Sequence, residues 1–103
     1  MGRTKFATDE ERKVAELLDS YGIAWDYEPK TFVLERYPDG KIAKAFTPDF
    51  YLPRHRIFIE VTVARDMNKK NRKMRLMRSE HPGVDVRLMG RRDLEQLFRG
   101  KGR

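Results

Sequence analysis

One acidic residue stands in a strongly apolar segment of the sequence. Glu60 lies within residues 57–63, where every other side chain except Thr62 is Ile, Val or Phe. This near-continuous apolar character predicts a strand buried on both faces, with Phe58, Glu60 and Thr62 on one of them. An ionised carboxylate buried there is costly unless a cation or a hydrogen-bond donor meets it. Glu60 is therefore a candidate functional residue, and the alternative is a structural ion pair with an arginine.

A second carboxylate precedes Glu60 by eleven residues. Asp49 belongs to the segment 47–53, Thr-Pro-Asp-Phe-Tyr-Leu-Pro, and stands at the start of a predicted adjoining strand. By itself a Pro-Asp pair is common in turns, and Asp49 would then be structural. Together with Glu60 it could share a hard divalent cation, because such ions prefer carboxylate oxygens. A cation held in this way suits phosphodiester hydrolysis, since it polarises the phosphate and activates a bound water.

Helices and strands along the chain would hold these two carboxylates. Thr8 and Glu11 form a predicted capping box, and apolar residues at helical spacing extend the first helix to Tyr21. The remaining elements are predicted as two or three strands of an antiparallel meander within 24–28, 31–37 and 41–46, a basic helix over 67–79, a strand over 84–89 and a short helix over 92–98. The pattern predicts one α/β domain over residues 1–103, with its core at about 8–98.

The net charge of +7 is unevenly distributed along the 103 residues. Residues 1–50 carry a net charge of −2, whereas residues 51–103 carry +9. Seven lysines and arginines and a single acid lie between Arg65 and Arg78, a density that would attract a polyanion through counterion release. The alternative is a solvated helix face that only aids solubility.

The composition excludes several classes of protein. The sequence has no cysteine, which rules out disulfide scaffolds and thiolate zinc sites. It has no apolar stretch near the roughly 20 residues of a membrane span, and no glycine-rich phosphate loop or Ser/His/Asp grouping. We therefore expect a soluble cytoplasmic protein, and neither a nucleotide hydrolase nor an acyl-transfer enzyme.

The Pro-Asp segment, the strand-embedded Glu60 and the helix in front of them together resemble the PD-(D/E)XK nuclease superfamily. The resemblance covers about residues 8–98 and implies a restriction-endonuclease-like αβββαβ core, with a mixed central sheet flanked by helices. It also implies that Asp49, Glu60 and the carbonyl of Val61 bind Mg²⁺, for which we expect Mn²⁺ to substitute.

The first helix carries a further acid of the family's pattern. Many members of the superfamily use a glutamate on this helix, and the resemblance places Glu11 in that position, with Glu10 as the neighbouring alternative. Glu11 could instead serve only to close the capping box.

The third position of the family's motif departs from the pattern, because Thr62 stands where the superfamily has lysine. Some members supply the lysine from the following helix. At 100° per residue, Lys70 and Lys73 both fall on the arc that also contains the helix's methionines, so either could replace the motif lysine. The alternative is that both lysines only extend along the edge of that apolar stripe.

These inferences predict a metal-dependent DNA endonuclease that hydrolyses phosphodiester bonds. DNA would bind the basic helix through the side chains of Lys69, Arg72, Arg75 and Arg78. One alternative is a catalytically inactive DNA-binding or assembly module that kept the nuclease fold, and another is an RNA- or ribosome-binding protein whose acids are all structural. Many compact nucleases of this kind dimerise to cut two strands, so the resemblance also admits a homodimer.

Overall fold

Three helices and six strands make up the described part of the chain, residues 4–62 and 67–99 of a computed structural model. In chain order they are α1 (Asp9–Ser20), β1 (Asp26–Tyr27), β2 (Phe32–Arg36), β3 (Ile42–Phe46), β4 (Phe50–Leu52), β5 (Ile57–Val61), α2 (Met67–Glu80), β6 (Val86–Met89) and α3 (Arg91–Arg99). The predicted elements are present close to their expected bounds. The predicted strand end at Val63 and the first cation of the basic run, Arg65, lie outside the described residues.

Four strands form the main sheet in the order β1-β4-β5-β6. The β1–β4 and β4–β5 pairs are antiparallel and the β5–β6 pair is parallel, which confirms the predicted mixed sheet. The register of β4 with β5 sets Phe50 opposite Ile59. Because the strands are antiparallel, the next step along the register brings Asp49 opposite Glu60. The two acids of the sequence pattern therefore meet at one end of the sheet.

Strands β2 and β3 form a separate antiparallel hairpin, so the predicted meander of two or three strands consists of these two. Strand β1 pairs with β4 and not with β2. The chain leaves β1 at Glu28, which has a left-handed φ of 46° and precedes Pro29. This backbone conformation and the missing N–H of proline both interrupt strand pairing. The hairpin consequently packs beside α2 and does not extend the main sheet.

Apolar side chains pack on both faces of the main sheet. One cluster joins α1 and α3 to Ile57, Ile59 and Val61 of β5. The other joins α2, the hairpin and β6, with Phe58 packed against it. Full burial of one such side chain stabilises the fold by about 1.5–3 kcal/mol, so these clusters hold the helices firmly against the sheet. Since side chains alternate along a strand, Glu60 lies on the same face as Phe58, beneath α2.

The helices are short and present one apolar face each to the sheet. The Thr8 hydroxyl caps α1 by accepting a hydrogen bond from the Glu11 N–H at 3.1 Å, as the sequence predicts. Helix α2 is held by Met74 and Met77, which are both almost fully buried. None of the helices within residues 4–62 and 67–99 is long and apolar enough to cross a membrane.

Candidate active site

Asp49 and Glu60 lie side by side in the interior, at the junction of β4 and β5. Only 7% of Asp49 and 8% of Glu60 is exposed to solvent. The Val61 N–H donates a hydrogen bond to Asp49 Oδ2 at 2.8 Å, which fixes the carboxylate against the neighbouring strand. The structure therefore brings together the two acids that the sequence pattern singles out.

The charges at this junction repel one another. Burial, together with the negative charges of Glu60 and Glu11, raises the pKa of the Asp49 carboxyl to about 7, against the lowering effect of the Val61 N–H. A buried carboxyl with such neighbours is hard to ionise unless a cation compensates it. Raised pKa values of this origin cluster at functional sites, which supports a functional assignment for Asp49.

Glu60 has one oxygen engaged and one free of partners. Its Oε2 lies 3.4 Å from the ammonium nitrogen of Lys70. Its Oε1 is buried and accepts no hydrogen bond from the described residues. A buried carboxylate oxygen without a partner is costly, and a bound cation is one of the few groups that would satisfy it.

Lys70 projects from α2 into the same junction. Besides approaching Glu60, its ammonium donates a hydrogen bond to the carbonyl of Val61, the atom that the resemblance implies as a metal ligand. Lys73, the other candidate, points elsewhere: its ammonium lies 5.7 Å from the centre of the Phe46 ring in the hairpin. Of the two lysines that the sequence leaves open, the structure therefore brings Lys70 to the carboxylates and leaves Lys73 outside the site.

The position that the motif lysine would occupy, Thr62, is half-buried at the end of β5. Its N–H donates a hydrogen bond to the Met89 carbonyl at 3.1 Å, which continues the pairing with β6. A Cβ added to Gly90 would lie 3.2 Å from the Thr62 hydroxyl, so this side chain is closely covered by the turn into α3. Thr62 carries no charge to the site, and the nearby positive charge comes from Lys70.

Glu11 approaches the pair from α1. Its side chain accepts a short hydrogen bond of 2.5 Å from the Tyr27 hydroxyl, a contact outside the predicted capping box. That hydroxyl in turn accepts a hydrogen bond from the Ala7 N–H at 3.0 Å. Burial and the bond to Glu11 raise the pKa of Tyr27, so the phenol stays protonated and holds Glu11 in place. The reserve candidate, Glu10, pairs with Arg91 of α3 at 2.9 Å, away from Asp49.

Glu28 is a further acid at the site, and the sequence pattern did not indicate it. Carboxylate oxygens of Glu28, Glu11 and Asp49 lie within 4.8 Å of one another. Glu28 reaches this position through its left-handed backbone, and its N–H donates a hydrogen bond to the Asp49 carbonyl at 2.8 Å. Its side chain is exposed, at the open edge of the site. The only sequence signal was an acid directly before a proline at a strand end, which is common in ordinary turns.

The four basic residues predicted to bind DNA are all exposed on α2, but they do not form one face. At 100° per residue, Lys69 and Arg72 lie within about 60° of each other, beside the hairpin. Arg75 and Arg78 continue the same rotation by about 60° each, so Arg78 is about 180° from Lys69. The four cations therefore spread around about half of the helix, and Lys69 and Arg78 face opposite sides.

The donors at this junction fit a hard divalent cation. Asp49, Glu60 and the Val61 carbonyl supply oxygens, which are the ligands that Mg²⁺ prefers in proteins. The unpartnered Glu60 Oε1 and the raised pKa of Asp49 both show negative charge that the described residues do not compensate. The chemistry of these donors is therefore that of the cation that the resemblance implies, while the three carboxylates whose oxygens lie within 4.8 Å of one another are those of Glu11, Glu28 and Asp49.

A buried carboxylate pair beside a lysine, at the end of a mixed sheet and below a basic helix, is a site suited to metal-assisted chemistry on phosphate esters. The chain belongs to the phage endonuclease I family, whose sequence profile matches residues 2–102.

Two curated relatives carry nuclease names. The endodeoxyribonuclease 1 of Enterobacteria phage T3 is 35% identical over 97 residues, covering 92% of this chain and 59% of the relative. The endonuclease I of Escherichia phage T7 is 30% identical over 95 residues, covering 92% of this chain and 60% of the relative. The chain thus spans about 60% of the length of these relatives. No solved structure matches it significantly.

Proposed function

We propose that this protein is a metal-dependent DNA endonuclease that hydrolyses phosphodiester bonds, with a PD-(D/E)XK type of site. The observation that carries the proposal is the meeting of Asp49, Glu60 and Lys70 at one buried junction of two strands and a helix. The name of the phage T3 relative, endodeoxyribonuclease 1, supports the choice of DNA as substrate.

Asp49, Glu60 and the Val61 carbonyl would hold Mg²⁺, and Mn²⁺ would substitute for it. The Val61 N–H already binds Asp49 Oδ2, so this carboxylate is oriented before any ligand arrives. Glu11 and Glu28 add negative charge on the open side of Asp49. Such a cation, when bound, polarises the scissile phosphate and lowers the pKa of the attacking water.

Lys70 takes the role of the motif lysine in this proposal. Its ammonium lies beside Glu60 and the Val61 carbonyl, so it presents a positive charge next to the position of the scissile phosphate. A charge fixed there would stabilise the negative charge that develops on the phosphate oxygens during hydrolysis. The buried methionines of α2 hold the helix, and with it the lysine stem, in place.

DNA would reach the site along α2. Lys69, Arg72, Arg75 and Arg78 are exposed on this helix, and phosphate groups would bind them through charge and counterion release. Because these cations spread around about half of the helix, DNA would contact it from the hairpin side and across its exposed surface.

Plasmid cleavage tests the proposal directly. Purified protein should nick supercoiled DNA in Mg²⁺ or Mn²⁺, and the Glu60→Gln variant should lose roughly 10²-fold or more of that activity. Glu80→Gln, at an exposed position at the end of α2, is the matched control and should cut normally. Cleavage that persists in Glu60→Gln would assign the activity to another site or to a contaminant.

One observation favours a second candidate, a catalytically inactive module that binds DNA. The motif lysine is replaced by Thr62, and a module of this kind would not need the lysine. Calorimetry with Mn²⁺ separates the two functions: DNA binding without any metal binding at millimolar concentration would identify the module.

A further inference from the structure

A groove lies between α2 and the β2–β3 hairpin, and the helix residues that line it do not include Lys70. Its volume is about 390 Å³, in the range of small-ligand sites. Its apolar lining comes from Leu34, Ala43, Ala45 and Leu76, and its polar lining from four cations, Lys44, Lys69, Arg72 and Lys73. No acid contributes to the lining.

The four cations are not neutralised within the described residues. Arginines elsewhere pair with acids, as Arg12 does with Asp9 and Glu16, but no ion pair among residues 4–62 and 67–99 involves a cation of the groove. Glu35 is the cross-strand neighbour of Lys44 in the hairpin, yet the two side chains form no ion pair. Four positive charges around a small groove, none of them paired with an acid of residues 4–62 or 67–99, favour an anionic occupant.

The groove is adjacent to the proposed site through α2 itself. Lys70 points to Glu60, whereas its neighbour Lys69 and the next-turn residue Lys73 line the groove. Lys69 and Lys73 are separated by about 6 Å along the helix axis, since each residue rises 1.5 Å. A DNA strand with one phosphate at the carboxylates would therefore have its neighbouring phosphates close to Lys69 and Lys73.

We infer that this groove binds the sugar–phosphate backbone of the DNA strand next to the cleaved phosphate, an inference that rests on the proposed nuclease function. The cations bind successive phosphates, and the aliphatic lining contacts the deoxyribose between them. Contacts of this kind to phosphate and sugar carry no sequence information directly, so this contact is independent of sequence. The hairpin, through Lys44, thus becomes part of the DNA-binding surface together with α2.

Charge reversal at two lysines of the hairpin tests the inference. Lys44→Glu places a negative charge in the groove, whereas Lys41→Glu makes the same charge change at the exposed hairpin turn, outside the groove. Binding of a fluorescent DNA oligonucleotide is measured by anisotropy in EDTA, which prevents cleavage, over a series of salt concentrations. Matching melting temperatures and circular dichroism spectra show that both variants are folded.

Lys44→Glu should weaken DNA binding about tenfold and reduce the slope of log affinity against log salt by about one, the effect of one lost phosphate contact. Lys41→Glu should change the affinity and the salt slope much less. Equal effects of the two substitutions would overturn the inference while leaving the nuclease proposal intact, provided that the wild-type protein binds and cuts DNA. A wild-type protein that neither binds nor cuts DNA would overturn both.

Discussion

The ammonium of Lys70 lies 3.4 Å from Glu60 Oε2 and also donates a hydrogen bond to the Val61 carbonyl. A helix residue thereby brings to the carboxylates the positive charge that Thr62, in the strand, does not provide. Met74 and Met77 anchor the same helix in the core, so the position of the lysine depends on ordinary apolar packing. The position of Lys70 makes the nuclease proposal compatible with a sequence that has Thr62 in place of the lysine of the PD-(D/E)XK motif.

The role of Lys70 leads to the first prediction. Lys70→Met keeps the length of the side chain but removes its charge, and it should lower the rate of DNA cleavage roughly 10²-fold, the usual cost of losing one group that stabilises transition-state charge. Lys41→Met is the control, since Lys41 lies at the exposed hairpin turn and lines neither the site nor the groove. Single-turnover cleavage of a labelled oligonucleotide measures both rates. An equal loss of cleavage rate in the two variants would show that the charge of Lys70 has no particular role in cleavage.

The hydrogen bond from Tyr27 to Glu11 leads to the second prediction. Tyr27→Phe keeps the ring in its aromatic cluster with Phe6 and Phe50 but frees the Glu11 carboxylate. Losing a partner that orients a metal-site carboxylate typically costs roughly 10–100-fold in metal affinity or activity, so the Mg²⁺ concentration needed for half-maximal cleavage should rise.

Tyr51→Phe is the matched control for Tyr27, because Tyr51 packs on Phe58 in the neighbouring strand. It should leave the Mg²⁺ dependence unchanged. An unaltered Mg²⁺ dependence in Tyr27→Phe would show that the hydrogen bond does not orient Glu11 for function.

The raised pKa of Asp49 leads to the third prediction, which concerns stability. The pKa of Asp49 is about 7 in the folded protein and 3.8 for a carboxyl without these surroundings, as in the unfolded chain. Between these two pH values the folded state therefore binds a proton that the unfolded state has lost. Stability of the metal-free protein should therefore be highest near the lower end of this window and should fall as the pH rises toward and through 7. Melting temperatures measured in EDTA across this pH range test the direction.

Asp49→Asn removes the charge that causes this loss while it keeps an oxygen for the Val61 N–H. The variant should show a weaker pH dependence and a higher melting temperature than the wild type at pH 8, by roughly 4–8 °C for each kcal/mol relieved. Asp26→Asn, at an exposed position of β1, should leave the curve unchanged. A variant at position 49 that melts below the wild type at pH 8 would contradict this reading of the electrostatics.

The central part of the site could be predicted from the sequence because it depends on local patterns. Glu60 was recognisable as an acid inside a run that could only be a buried strand, and Asp49 as an acid at the start of the strand before it. Antiparallel pairing of two consecutive strands then brings them together, as the register of β4 and β5 shows. The capping of α1 by Thr8 was recognisable for the same reason.

The remaining features depend on tertiary contacts that no local pattern encodes. Lys70 and Lys73 differ by only about 60° around the helix, and the packing of α2 over β5 decides which one meets Glu60. Glu28 enters the site through a left-handed φ, which non-glycine residues rarely adopt. The separate hairpin follows from the same break in the chain, which the alternating pattern of residues 24–46 does not reveal.

A crystal of the wild-type protein grown or soaked in Mn²⁺ tests the central claim most directly, because the anomalous signal of manganese locates the ion without assumptions about the protein. The account predicts a peak bound by Asp49, Glu60 and the Val61 carbonyl, and no peak there in a Glu60→Gln crystal treated in the same way. A wild-type crystal with full Mn²⁺ occupancy elsewhere and none at these three residues would contradict it.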